Sequence, residues 1–350
     1  MITAQPLTGS AAATARPAAV SVIIPAYNRA GFLGPCVKSI IAQTHPIFEI
    51  FIVDDGSTDD TAAVVKSLSD GVPEGGPRIH YLWQPNAGKS VALNQALERA
   101  SGEWIAFNDS DDLWYPEKIE RQLEALQRHP DCRACFTNAS YSHRYSGRDF
   151  EFEGGLEVSG ETGRLPDHVR MALTNRRIRM ITLIVRVDAM RLTGPFDPAL
   201  RVAQDIDFVF RLALVTPLCY VNRPLVEINH DPAHASRLTV QHMLASRTRD
   251  QAHVAMMTKW RELLCDTRPD LRRQLDRDLW RKRSALANHL LLEGDAAGAR
   301  GLLARGLRDQ FNARFLVKLG ITFFTPRLYV RSLQRQAERK APMAATSPSC

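Results

Sequence analysis

Residues 104–116, Trp-Ile-Ala-Phe-Asn-Asp-Ser-Asp-Asp-Leu-Trp-Tyr-Pro, set three carboxylates, Asp109, Asp111 and Asp112, directly after a short apolar run. Carboxylates packed this closely repel one another, and a folded chain tolerates them best where a cation or converging donors neutralise the cluster. The apolar run has the length of one buried strand and Pro116 opens a helical segment, so the acids are expected at a strand end, as a metal site would be. Asp and Ser are also ordinary loop residues and helix caps, so an Asp-x-Asp tripeptide alone says little. A second acidic turn, Asp54-Asp55-Gly56-Ser57-Thr58-Asp59, follows a second apolar run. Ser57, Thr58 and Asp59 read as N-caps of the next helix, which leaves Asp54 and Asp55 to be explained.

The elements around these acids alternate. Residues 19–24, 48–53, 79–84, 104–107 and 132–141 read as strands, the first of them β-branched as in a parallel strand covered on both faces. Residues 32–42, 58–68, 90–100 and 116–129 carry apolar side chains at helical spacing. This order predicts an α/β domain with a doubly wound, mostly parallel sheet flanked by helices and right-handed crossovers. In such sheets ligands bind outside the carboxyl ends of the strands, where Asp54, Asp55 and Asp109 fall. No Gly-x-Gly-x-x-Gly or Gly-x-x-x-x-Gly-Lys-Ser/Thr occurs, which demotes dinucleotide and P-loop readings. The spacing of Asp54-Asp55-Gly56-Ser57-Thr58 also fails to match a phosphoaspartate enzyme, whose Asp-x-Asp-x-Thr would follow the first strand.

The 350 residues allow a large core and two domains, and 45% hydrophobic content is that of a globular chain. Net charge is +7, but residues 237–340 hold 22 Lys/Arg against 10 Asp/Glu, so the basic excess belongs to the C-terminal third. Six scattered cysteines give no disulfide framework and favour a reducing, cytoplasmic compartment, and Cys132-x-x-Cys135 lacks the second pair that zinc would need. Residues 1–17 are expected to be a disordered lead-in without a signal peptide, and no run of 18 apolar residues is present to span a bilayer.

Four motifs, Val-Ser-Val-Ile-Ile-Pro-Ala-Tyr-Asn, Val-Asp-Asp-Gly-Ser-Thr-Asp-Asp-Thr, Asn-x-Gly and Asp-Ser-Asp-Asp-x-Trp-x-Pro, stand in an order that resembles the family 2 glycosyltransferases, inverting enzymes of GT-A fold. The resemblance covers residues 19–230 and implies roles position by position. Pro25, Ala26 and Tyr27 would border the nucleotide base, Asp55 would bond it, and Asp54 would support the strand end. Asn86 and Gly88 would lie near the ribose and phosphates. Asp109 would contact ribose or metal, and Asp111 would coordinate a divalent cation, Mn²⁺ or Mg²⁺, on the diphosphate. Asp112 would cap the next helix. Further on, Gly194-Pro195-Phe196-Asp197-Pro198 and Gln204-Asp205-Ile206-Asp207 resemble the acceptor motif, in which Asp205 would be the general base and Gln204 stands where the family often has Glu. Helix capping is the competing role for Asp205, and Asp207 is expected on the exposed face. His230 falls where relatives place a His near diphosphate or metal.

The expected organisation is therefore a GT-A-type domain over 18–235, with a nucleotide half 18–141 and an acceptor half 142–235, then a basic helical region 236–340 and a tail 341–350. The implied activity is metal-assisted, inverting sugar transfer from a nucleotide-sugar, a UDP-sugar first, to a glycan or lipid-linked acceptor. The alternative is a nucleotide-sugar-binding protein without catalysis. Leu291-Leu292-Glu293-Gly294-Asp295 reads as helix, tight turn, helix, resembling one tetratricopeptide-like unit. Residues 315–329 are apolar with basic neighbours, which suits either an interfacial helix on the anionic inner face of a membrane or a helix packed against the catalytic domain. Nucleic acid is disfavoured because no binding motif accompanies the charge.

Overall fold

The structure is a computed structural model. It describes residues 17–145, 148–150, 152, 156, 158–174, 178–229, 246–264, 268–309, 313–324, 328 and 330–335. The chain divides into two units, residues 1–198 with 205–231, and residues 199–204 with 232–350.

In the first unit β1 (Val20–Ala26), β2 (Glu49–Asp54) and β3 (Arg78–Trp83) pair in parallel, and β4 (Trp104–Phe107) joins β1 in parallel from its other side. The chain returns between them through α1 (Ala30–Ile41), α2 (Thr61–Asp70) and α3 (Lys89–Leu97). β1 is covered on both faces, as its β-branched run requires, and Val22 and Ile24 share one core with Leu33, Val37 and Ile40 of α1. Because these four strands run one way, the residues after Ala26, Asp54, Trp83 and Phe107 all emerge on one edge of the sheet.

The second half of the sheet holds β5 (Leu113–Trp114), β6 (Ala134–Tyr145), β7 (Arg148–Phe150), β8 (Thr162–Arg164), β9 (Leu183–Arg186) and β10 (Leu218–Ile228). The helices here are α4 (Lys118–Arg128), α5 (His168–Thr174), α6 (Val187–Thr193) and α7 (Gln204–Val215). Strand order is β3-β2-β1-β4-β9-β6-β10-β5, with β7 on β6 and β8 on β10. β6 is therefore not the neighbour of β4, because β9 enters antiparallel between them. Four residues are too few to show a period, so β9 leaves no pattern in the sequence. Cys36, Cys132, Cys135 and Cys219 are buried free thiols.

One lysine is spent on this core. Lys118, at the start of α4, is fully buried with its Nζ 3.0 Å from Gln122 Oε1 and 4.0 Å from the centre of the Trp114 ring. Burial pushes its pKa from 10.5 down to about 7. The unfolded chain therefore holds a proton between about pH 7 and 10.5 that the folded chain has released, so this group makes stability rise with pH across that window. Below it both states are protonated and the full cost of the buried charge is felt. Lys118→Met is expected to raise stability below pH 7 by roughly 1–3 kcal/mol, after the lost bond to Gln122 is allowed for. Thermal melts of both proteins at mildly acidic and alkaline pH should show the gap closing as pH rises; a gap independent of pH would contradict the assignment.

The second unit contains α8 (Ser246–Leu263), α9 (Pro269–Leu292), α10 (Ala296–Asp309) and α11 (Ala313–Phe324). The helix, turn, helix expected around Gly294 is present. Gly294 has a left-handed φ of 87°, and Asp295 Oδ1 accepts the Gly298 N–H at 2.7 Å to start α10. Leu286, Leu291, Leu302 and Leu303 form its core. Among the described residues no helix is long and apolar enough to cross a membrane.

Candidate active site

The loops on the common edge are tied to one another by the acids that end β2. Asp54 is buried, accepting the Ser57 N–H at Oδ1 (2.7 Å) and the Tyr81 hydroxyl at Oδ2 (2.6 Å). Asp55 is also buried. Its Oδ1 accepts from Gln84 Nε2 (2.7 Å) and the Ala87 N–H (2.8 Å), and its Oδ2 accepts the Gly88 N–H (2.9 Å). Asp55 thus holds the 86–88 loop against the end of β2, while Gly88 adopts φ 96° before α3. The same loop presses on Gly56, whose φ is 80° and where a Cβ would meet the Asn86 nitrogen at 2.8 Å, so only glycine fits. Asn28 Oδ1 accepts the Thr58 N–H and Ser57 Oγ accepts the Asn28 N–H, both at 2.8 Å, joining the β1 loop to the β2 loop. Ala26 is buried, whereas Tyr27 is 47% exposed beside it. Of the three expected caps, Asp59 accepts from Thr61 N–H at the start of α2 and from Ala30 N–H at the start of α1.

After β4 the acid loop turns over Cys36, with Asn108 Nδ2 bonded to the Asp112 carbonyl at 2.9 Å. Asp112 does not cap α4, which begins five residues too late for it. Its Oδ1 accepts the Asn229 N–H (2.9 Å), fastening the end of β10 to the acid loop. Asp109 and Asp111 are half-buried, and Asp109 Oδ1 is ion-paired with Lys89 Nζ at the first position of α3. Burial opposes the Lys89 charge, yet Asp109 foremost, then Asp205 and Asp111, outweigh it and hold its pKa above the ordinary lysine value. Asp109 pairs with this ammonium directly, and the charges of Asp205 and Asp111 add to the field on it.

Asp205 reaches this cluster because the core brings α7 to β4. Phe208 stacks on Phe196 at 4.6 Å between ring centres, and both rings meet Phe107, the last residue of β4, edge-on at 5.9 Å. Asn94 of α3 adds a two-way clamp, donating to the Phe196 carbonyl and accepting the Phe196 N–H, each at 2.8 Å. Asp207 is not on an exposed face: it is 3% exposed and paired with Arg211 at 2.8 Å, and Arg211 also donates to the Thr193 and Gly194 carbonyls. Asn94→Ala would leave both polar groups of a buried backbone unpaired and is expected to cost about 1–3 kcal/mol. Chemical denaturation checks this; a loss below a few tenths of a kcal/mol would show that the clamp carries no load.

Lys89, Gln84 and Asn94 did not stand out in the sequence. A lysine in the first turn of a helix opposes the helix dipole, and that mismatch was the available signal for Lys89.

Among the described residues no three His, Cys, Asp or Glu side chains form a protein-only metal cage, and His230 lies outside them. Mg²⁺ and Mn²⁺ at nucleotide sites need only one or two carboxylates, with phosphate oxygens completing the shell. Asp109 and Asp111 supply hard oxygen donors, and with Asp205 they outnumber the single ammonium, so the residues present fit such an ion.

A parallel half-sheet extended by antiparallel strands, with acids gathered at its carboxyl edge, defines a GT-A-type α/β domain. Residues 21–170 match the model of glycosyl transferase family 2; Asp205 lies beyond the matched segment. Similar proteins include the uncharacterized glycosyltransferase YibD of Escherichia coli (strain K12), 38% identical over 161 residues, 45% of each chain. Chondroitin synthase of Escherichia coli is 30% identical over 204 residues, 58% of this chain and 28% of that one. The chain therefore spans less than half the length of either relative. The crystal structure of S. aureus TarS 1–349 in complex with UDP-GlcNAc superposes with a TM-score of 0.61 at 18% identity, over 91% of this chain and 92% of that one, which shows a shared fold.

Proposed function

We propose that the chain transfers a sugar from a nucleoside-diphosphate donor to an acceptor hydroxyl by one in-line displacement, inverting the anomeric carbon. The observation that carries this is the packing of α7 on the end of β4, Phe208 against Phe107, which brings Asp205 toward the edge where Asp109 pairs with Lys89 and Asp111 follows. Asp205 accepts the proton from the acceptor hydroxyl as its oxygen attacks. Pro25, Ala26 and Tyr27 border the base, with the loop that Asp55 holds, including Asn86 and Gly88, closing toward ribose and phosphates. Asp111, with Asp109, would hold Mg²⁺ or Mn²⁺, which when bound shields the charge of the departing diphosphate. Lys89 adds a fixed positive charge at the same place.

UDP is the first donor nucleotide to test, since the similar fold of TarS holds UDP-GlcNAc. Likeness to chondroitin synthase supports a glycan acceptor, free or lipid-linked, and a role in cell-surface polysaccharide synthesis. Incubating the purified chain with Mn²⁺, UDP-, dTDP- and GDP-sugars and acceptor extracts should release nucleoside diphosphate faster when acceptor is present, and NMR should show an inverted linkage. A retained anomeric configuration would overturn the mechanism, and donor binding without release in any combination would leave the non-catalytic alternative.

A further inference from the structure

We propose that α11 and the basic segments beside it seat the protein on the surface of an anionic lipid bilayer. The apolar residues of α11 divide between two sides. Leu319 packs into the core formed by Leu286, Leu291, Leu302 and Leu303, and Thr322 is fully buried. Leu316, Val317 and Phe323 instead are exposed at 52%, 63% and 56%, and Leu328, further along the chain, at 65%. A helix that merely completes a core does not leave three large apolar side chains in water, and several together on one short element mark a surface meant to be covered.

The helix is held in place. Lys318 Nζ donates to the Ser284 carbonyl (2.7 Å) and hydroxyl (2.9 Å) of α9, and the Arg300 guanidinium lies 4.6 Å from the centre of the Phe323 ring. The patch is therefore presented by a fixed scaffold. At 12 residues α11 is about 18 Å long, too short to span the bilayer core of about 30 Å, so it lies along the surface.

Charge selects the occupant. Residues 296–340 hold ten Lys/Arg and two Asp/Glu, and Arg305, Arg308, Arg331 and Arg335 are exposed. A second copy of this face would bring like charges together. Nucleic acid would satisfy the arginines and leave Leu316, Val317 and Phe323 against water. An anionic bilayer offers negative headgroups to the arginines and acyl chains to the apolar patch at adjacent depths. This inference does not depend on the sugar-transfer reading.

Flotation of the full chain with vesicles tests it. Vesicles of equal parts phosphatidylglycerol and phosphatidylcholine should carry the protein upward, and pure phosphatidylcholine should bind it at least about tenfold less. Leu316→Asp with Phe323→Asp should abolish flotation while circular dichroism stays near wild type, and Leu316→Asp with Val317→Asp, which leaves the Arg300 contact in place, should abolish it with the melting temperature also near wild type. Arg331→Glu with Arg335→Glu should weaken binding about tenfold at low salt and little at high salt. Wild-type protein that stays at the bottom with anionic vesicles would overturn the proposal, as would a folded double-aspartate variant that floats like wild type. A concentration-dependent dimer that Leu316→Asp and Phe323→Asp abolish, without any lipid binding, would overturn it in favour of a second copy.

Discussion

Asp205→Asn is expected to lower the rate of sugar transfer by about 10²–10⁴-fold, the usual contribution of a positioned general base, while leaving donor binding close to wild type. The asparagine keeps the shape of the side chain at the start of α7, so the aromatic packing of Phe208 on Phe196 and Phe107 is undisturbed. What it removes is a proton acceptor and one of the carboxylates acting on Lys89. Single-turnover transfer alongside donor titration separates these two effects. If Asp205 only capped its helix, the amide would serve nearly as well and the rate would hardly move.

Asp111→Asn is expected to cost about 10²–10³-fold in kcat/KM, a size typical of losing electrostatic stabilisation of developing charge. It should also raise the Mn²⁺ concentration needed for half-maximal activity. Asp111 is the acid proposed above to hold the cation, so its loss bears most directly on an added one. The activity of Asp111→Asn measured across a Mn²⁺ series gives the answer. A dependence on Mn²⁺ identical to wild type would remove Asp111 from the cation site.

The parallel core was legible because β1 and β2 carry near-continuous apolar runs and each ends on a turn with a strong local signature. The antiparallel insertion of β9 was not, because four residues hold no period and their place depends on pairing with β4 and β6 far away in sequence. The acids were visible as residues, but their partners were not. Asp55 reads, by the resemblance, as a partner of the nucleotide base, yet the structure spends both its oxygens on Gln84 and the 87–88 backbone. Asp112 reads as a cap, yet it holds Asn229, and Asp207 reads as solvent-facing, yet it lies beneath Arg211. Each depends on a contact that side-chain type and spacing do not encode. Lys89 is the clearest case, since its role comes from three carboxylates delivered by two separate segments.

The most direct test is a crystal structure of the protein grown with UDP and Mn²⁺, with data collected for manganese anomalous scattering. The account predicts a manganese peak bound by Asp111, the diphosphate beside Lys89, and the base near Tyr27, with Asp205 facing the same cleft. Nucleotide bound elsewhere, or a manganese peak away from Asp109 and Asp111, would contradict it.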